Sequence, residues 1–353
     1  MEKSNLIQFL NNAAIFASAI FIPVMAKEFG ASPFEIGLAV GIFNLTYFAS
    51  NYFFGIMADR FCIRRMVQYG FLFSAVCFLA QLWMTDLFSL LWVRALAGAA
   101  AGTFPAALAV YAYEERAGRM GMFNAYTSLG WAFGSVVAGL VGAYNVIFML
   151  SGAMFLVSYL SSLSLKDICQ ERGSSLFPVR LVKKNFRIYF PYFMRAVGAQ
   201  ATWSVFPLFL IALGADKMLI GVTYFLNLGS QFFIMQHVER FRNLSLINIG
   251  LLTSVIVFVL YAVAPTIWVV LPVQLLLGAS FSALQVGTQQ ELLKENREKA
   301  SVIGLLNAIV NFTAIIGPLL AGWLLNYWDF PVLMWLAAAT AFIGLISFTK
   351  VIE

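Results

Sequence analysis

Two arginines, Arg94 and Arg195, stand inside apolar stretches (87–112 and 188–213) that hold no other charged residue. At 1.5 Å per residue each lies roughly 10 Å below the end of a helix built from its stretch. An arginine at the centre of a membrane helix costs about 2.5–3.5 kcal/mol on insertion scales. A guanidinium retained there therefore snorkels to an interface, pairs with a neighbouring helix, or binds an anionic group on a solute. Amides supply the second chemistry. Asn11 belongs to a set, Ser4, Gln8, Asn11 and Ser18, whose spacing keeps one helical face. Gln274, Gln285 and Gln289 share a face with Gly278 and Phe281 between them, and Gln290 follows. Such stripes make interhelical hydrogen bonds, worth about 0.6 kcal/mol each in a bilayer, or line a wet pathway. The glutamines favour the pathway, with Trp203 and Trp131 as aromatic companions.

Acids are missing from the same depth. Glu35, Asp86, Asp329, Glu114 and Glu291 all fall at the ends of apolar stretches, and the single histidine, His237, is also at an end. A carboxylate-based proton relay is disfavoured, and exchange or uniport of a polar or anionic solute fits better. Nothing points to an enzyme: there is no nucleophile–base set or phosphate loop. Cys62, Cys77 and Cys169 have no metal-ligand spacing, so neither metal nor cofactor is expected.

The elements that must hold these residues are membrane helices. The chain has 353 residues, of which 61% are hydrophobic and 11% charged, with mean hydropathy +0.86. A soluble domain carries about 25% charged residues. Runs long enough to span a bilayer occur at about 5–26, 34–57, 66–85, 87–112, 120–143, 145–165, 188–213, 218–236, 244–263, 266–290, 300–324 and 330–349. The first is too long for a signal-peptide core, and the links leave no room for a soluble catalytic domain. An all-α integral membrane protein of 12 transmembrane helices follows. Eighteen lysines and arginines fall on the face that carries both termini, against Lys27 and Lys217 on the other. That bias puts both termini in the cytoplasm of a cell-membrane protein. The net charge of +6 is then a result of topology, with no nucleic-acid partner implied.

The longest link divides the chain into a bundle at 1–165, a linker at 166–187 and a bundle at 188–353. A repeat runs between the bundles at an offset of 180–184 residues. GMFNAYTSLGWAFGSVVAG from Gly121 lies over GLLNAIVNFTAIIGPLLAG from Gly304, pairing Gly134 with Gly317 and Gly139 with Gly322. Pro23 lies over Pro207, Gly37 over Gly221, and VRALAGA from Val93 over VQLLLGA from Val273. Asn11 aligns with Arg195. Six is even, so the repeats are parallel, a plan used by secondary transporters.

One short stretch breaks the apolar pattern. In GIMADRFCIRR, from Gly55, four of eleven residues are charged: Asp59, Arg60, Arg64 and Arg65. It resembles the loop 2–3 signature of the major facilitator superfamily, G-x-L-A-D-R-x-G-R-K, at Gly55, Ala58, Asp59 and Arg60. Cys62 stands at a glycine position and Ile63 at an arginine position, while Arg64 takes the lysine position. Arg94 and Gly98 resemble a second signature. Gly130, Gly134, Ala138 and Gly139 resemble the antiporter motif of span five, with Ser135 where that motif has proline; GPLLAG in span eleven keeps the proline. The resemblance covers essentially the whole chain. It implies alternating access by two rocking bundles, with spans one, four, seven and ten lining the cavity. Spans two, five, eight and eleven would meet between the halves. It also implies a gating role for Gly55, Asp59, Arg60 and Arg64, with Glu114 and Glu115 as partners. A small-solute carrier working as a monomer is the leading expectation, moderately toward anions. The rivals are an exporter of multiple drugs or hydrophobic compounds and a non-transporting receptor or scaffold on the same fold.

Overall fold

The computed structural model describes residues 3–58, 63–115, 121–166, 179–238, 241–296 and 299–352, and every long element in them is an α-helix. The first half contains α1 (Lys3–Ala19), α2 (Ile22–Glu28), α3 (Pro33–Ala58), α4 (Ile63–Leu79), α5 (Leu87–Ala101), α6 (Pro105–Glu115), α7 (Gly121–Val141) and α8 (Tyr144–Ser162). A short α9 (Val179–Lys184) follows. The second half contains α10 (Phe186–Ala212), α11 (Lys217–Val238), α12 (Asn243–Ala262), α13 (Ile267–Glu295), α14 (Lys299–Leu325) and α15 (Phe330–Ile352). Among the described residues, nine helices are long and apolar enough to cross a membrane. The protein is an all-α integral membrane protein of twelve spans in two six-helix repeats.

Two spans that were expected to be continuous are broken. Span one divides at Ile20–Phe21 into α1 and α2, and span four divides at Gly102–Phe104 into α5 and α6. Pro23 is the second residue of α2 and Pro105 the first of α6. Proline lacks the N–H that would continue the upstream ladder and disfavours helical backbone in the residue before it. Two further differences are α9, inside the stretch expected to be linker, and α13, which runs five residues beyond its expected end to Glu295. The added stretch, Glu291–Glu295, carries Lys294 in its last turn, which suits a helix C-terminus.

By their internal contacts the residues form two compact units. Unit 1 comprises Met1–Ala31, Ile42–Ser174 and Asp216–Phe225; unit 2 comprises Ser32–Gly41, Ser175–Ala215 and Leu226–Glu353. Helices α3 and α11 are thus each shared between the units. The core of unit 1 is aromatic, with Phe71 on Phe104 and Phe78 on Phe155 at centroid distances of 4.6 Å. That of unit 2 gathers Tyr189, Tyr192, Leu251, Leu284, Leu306 and Phe348. Helices α4, α8, α12 and α15 carry exposed apolar side chains such as Phe73, Leu160, Ile249 and Phe342. Patches of that kind mark a lipid-facing surface in a membrane protein.

The sequence repeat recurs in three dimensions at the same offsets. Gly30 and Gly214, 184 residues apart, have φ of +80° and +88°. Each ends a helix in the left-handed region that glycine enters without strain. Ala31 N–H donates to Ala26 O at 3.0 Å, and Ala215 N–H to Leu210 O at 2.9 Å, so the two turns have the same bonding. Gly134 lets α7 approach α1, where an added Cβ would stand 2.5 Å from Ala13 O. Its counterpart Gly317 lets α14 approach α10, where a Cβ would stand 2.7 Å from Ala201 N.

Candidate functional site

Arg94 is positioned by α5, which starts on a capping box. The Asp86 carboxylate accepts from Ser89 N–H at 2.7 Å, while the Ser89 hydroxyl lies 3.1 Å from Asp86 N. The Ser89 backbone N–H, and then its hydroxyl, hold the Asp86 carboxyl below the usual carboxylate range. Arg94, Gly98 and Gly102 then recur every four residues and lie on the stripe of α5 that packs on α3. A Cβ on Gly98 would overlap Phe43 O and Thr46 Oγ1, and one on Gly102 would overlap Tyr47 O. The guanidinium sits 4.1 Å from the centre of the Phe43 ring and is 2% exposed. Its Nε and Nη1 have no hydrogen-bond partner among the described residues. Asn11, on α1, is 1% exposed, and both atoms of its amide are likewise without a partner there.

The rest of the α1 stripe is divided among neighbours. Ser4 Oγ donates to Glu115 at 2.5 Å, Gln8 Nε2 to Thr127 Oγ1 at 2.7 Å, and Ser18 Oγ back to Ile15 O at 3.1 Å.

In unit 2, Arg195 is 6% exposed and turned into its own bundle. Its Nε donates to Ser254 Oγ of α12 at 3.0 Å, and its guanidinium lies 5.6 Å from the centre of the Phe281 ring of α13. The Ser254 and Ser280 hydroxyl oxygens lie 2.7 Å apart and each is 2.8 Å from Gly250 O, so one hydroxyl donates to the carbonyl and the other can donate to its neighbour. Gln274 is fully buried and donates to Tyr261 Oη at 2.8 Å. Gln285 is half-buried and accepts from Tyr192 Oη at 2.5 Å. Gln289 is half-buried on the same helix, and Trp203 stacks on Phe206 at 5.2 Å.

Of the amides and arginines singled out from the sequence, unit 2 brings Arg195, Gln274 and Gln285 into networks built with hydroxyl groups. The hydroxyls of Ser254, Ser280, Tyr192 and Tyr261 were not singled out from the sequence. A lone serine or tyrosine in an apolar helix has no periodic signal, and only the fold shows its partner.

The loop 2–3 residues are partly visible. Asp59 and Arg60 lie outside the described residues, as do Cys62 and Cys169. Gly55 falls in the last turns of α3. Arg64 Nη2 donates to Leu163 O at 2.7 Å, at the end of α8, and Glu115 is taken up by Ser4. Nothing is described of the Glu114 side chain. Glu295, which matches Glu115 at an offset of 180, pairs with Arg187 at the start of α10, and its carbonyl accepts from Lys184 at 2.7 Å. Each unit therefore ties the start of its first helix to the end of its fourth span through a glutamate at the same repeat position.

Comparison with known proteins bears on the whole chain. The sequence profile described as the Major Facilitator Superfamily matches residues 5–295 and 188–352. The quinolone resistance protein NorA of Staphylococcus aureus (strain MRSA252) is 23% identical over 381 aligned residues, covering 99% of this chain and 97% of its own. Among solved structures, the nucleoside transporter NupG superposes with a TM-score of 0.77 at 15% identity, covering 99% of this chain and 98% of its own. A bacterial homologue of the human lysosomal transporter Spinster, inward-facing and unoccupied, gives 0.72 at 15% identity, covering 99% and 96%.

Proposed function

The chain belongs to the Major Facilitator Superfamily, and on that premise we propose that this membrane transporter exports hydrophobic, aromatic solutes. One observation carries the reading: both membrane-embedded arginines are withdrawn into their own units, 2% and 6% exposed. Arg195 is engaged by Ser254, and Arg94 lies on a helix-packing stripe over Phe43. A solute met chiefly by half-buried rings and amides is recognised by stacking and shape. The half-buried or exposed rings Phe9, Phe133, Phe16 and Trp131 of α1 and α7 supply such a surface, as do Phe193 and Phe312 of α10 and α14. The likeness to a quinolone resistance protein supports the same class.

The protein works as a monomer in the cell membrane with both termini in the cytoplasm, and it leaves its solute chemically unchanged. The bundles at 1–165 and 188–353, joined by the cytoplasmic linker at 166–187, rock to give alternating access. Gly55, Asp59, Arg60 and Arg64 gate the cytoplasmic side with Glu114 and Glu115. Gln285, Gln289 and Trp203 contribute to the binding surface, whereas Asn11 and Gln274, as buried as the arginines, do not.

A second reading, an organic anion held by Arg94, is favoured by its two nitrogens that have no partner among the described residues. Cells expressing the protein should accumulate less of a fluoroquinolone and of a planar fluorescent dye than cells with an empty vector. Equal accumulation of every aromatic compound in a panel would overturn the export reading. Thermal stabilisation of purified protein by an organic anion, lost in Arg94→Gln, would establish the second.

A further inference from the structure

Lys217 is one of only two lysines on the face opposite the termini, and it is placed where a cation is least welcome, at the first residue of α11. A helix N-terminus is partly positive and disfavours an ammonium. The structure compensates for this from elsewhere in unit 1. Lys217 Nζ donates to Gly142 O at 3.0 Å. Gly142 directly follows α7 and has φ of +64°, so the ammonium sits against the partly negative end of that helix. The same Nζ lies 3.9 Å from the centre of the Tyr144 ring and 5.8 Å from that of Phe21, and both distances are within the range of cation–π attraction. Tyr144 is in turn oriented by Glu28, whose carboxylate accepts from its hydroxyl at 2.8 Å. Lys27, the other lysine on this face, is exposed.

Directly below the lysine, α11 and α7 touch backbone to backbone. A Cβ on Gly139 would stand 2.9 Å from Gly221 Cα, and one on Gly221 would stand 2.6 Å from Ser135 O. Such a contact is made by shape alone. The ammonium above it adds an attraction with a defined direction.

We propose that Lys217 is a lock on the outer end of this transporter: its ammonium, boxed by Tyr144, Phe21 and the Gly142 carbonyl, must leave before α11 can part from α7. The lock rests on the transporter reading but not on any particular solute. Breaking it exchanges two aromatic faces and one carbonyl for water, so its strength is that of a partly desolvated cation–π contact. That is enough to bias an equilibrium between two states by about fivefold.

The test uses full-length protein in intact cells, with the native cysteines replaced by alanine and a reporter cysteine introduced as Ser135→Cys. Ser135 is fully buried beside Gly221, so a membrane-impermeant maleimide added outside reads the opening of this seam and needs no transported solute. Lys217→Met, which keeps the aliphatic stem, and Tyr144→Leu should each raise the labelling rate by about fivefold. Lys217→Arg should label at the parent rate, because a guanidinium also stacks on tyrosine and bonds a carbonyl. Parent-like labelling in both Lys217→Met and Tyr144→Leu overturns the proposal. So does Lys217→Arg labelling as fast as Lys217→Met. If Lys217→Met does not reach the membrane, Tyr144→Leu and Lys217→Arg decide. Failure here leaves the identity of the solute untouched, because accumulation assays alone address that.

Discussion

At the end of α7, Gly139 and Ser135 face Gly221 near the start of α11; at the end of α14, Gly322 and Pro318 face Gly37 near the start of α3. The four glycines are related by the repeat, 139 to 322 and 37 to 221, so the two seams are copies of one design. Their surroundings differ. The first seam has Lys217 over it, boxed by Tyr144 and Phe21. In the second, the position matching Lys217 is Pro33, and the position matching Tyr144 is Tyr327, which is 68% exposed and has ring contacts with Trp323 and Trp328. Shape is conserved between the seams while charge is not. The difference teaches that close packing is common to both halves and that directional attraction supplements it at the first seam.

The comparison breaks first where it depends on shape. Gly37→Leu and Gly221→Leu should each reduce drug efflux at least about tenfold at equal surface expression, because overpacking a tight contact costs about 1–3 kcal/mol or more. A strong loss in only one of them would mean that the seams are not equivalent. Next come the helix ends that position the seams. Gly30→Ala and Gly214→Ala should each lower stability by about 1–2 kcal/mol, the cost of left-handed backbone with a side chain, read as matched shifts in thermal unfolding in detergent. A smaller effect is expected for the polar network around Arg195 in unit 2. A double-mutant cycle between Arg195→Gln and Ser254→Ala should give a coupling of about 0.6 kcal/mol, the average for such bonds in a bilayer, and no coupling should appear between Arg94→Gln and Ser254→Ala. The smallest effect sharpens the contrast in charge: Tyr327→Leu should leave seam labelling and efflux unchanged, in contrast to Tyr144→Leu.

Much of this was legible before the fold was known, for physical reasons that differ by residue. The spans were visible because a bilayer demands long apolar runs. The seam glycines were visible because a backbone contact admits no side chain, which forces the same residue into both copies of the repeat. Gly30 and Gly214 follow the same logic but give no sequence signal, since an isolated glycine in a loop has no neighbours to raise it above chance. The breaks in spans one and four were hidden too. Pro207 matches Pro23 in the repeat and yet lies inside the continuous α10, so proline alone does not decide whether a helix divides. Arg94 and Arg195 were recognised as costly, but not what they touch. Phe43 is 51 positions from Arg94 and Ser254 is 59 from Arg195, and periodicity within one helix cannot report a partner on another.

The sharing of α3 and α11 has a consequence for covalent continuity. Residues 32–41 of the first half pack in unit 2, and residues 216–225 of the second half pack in unit 1. Each half contributes the opening turns of an equivalent helix to the unit built mainly by the other. A cut between residues 166 and 179 therefore leaves each fragment with a share of both units. A chain severed there, or expressed as two fragments, is expected to purify as one particle, and the halves should separate only when the glycine seams are opened.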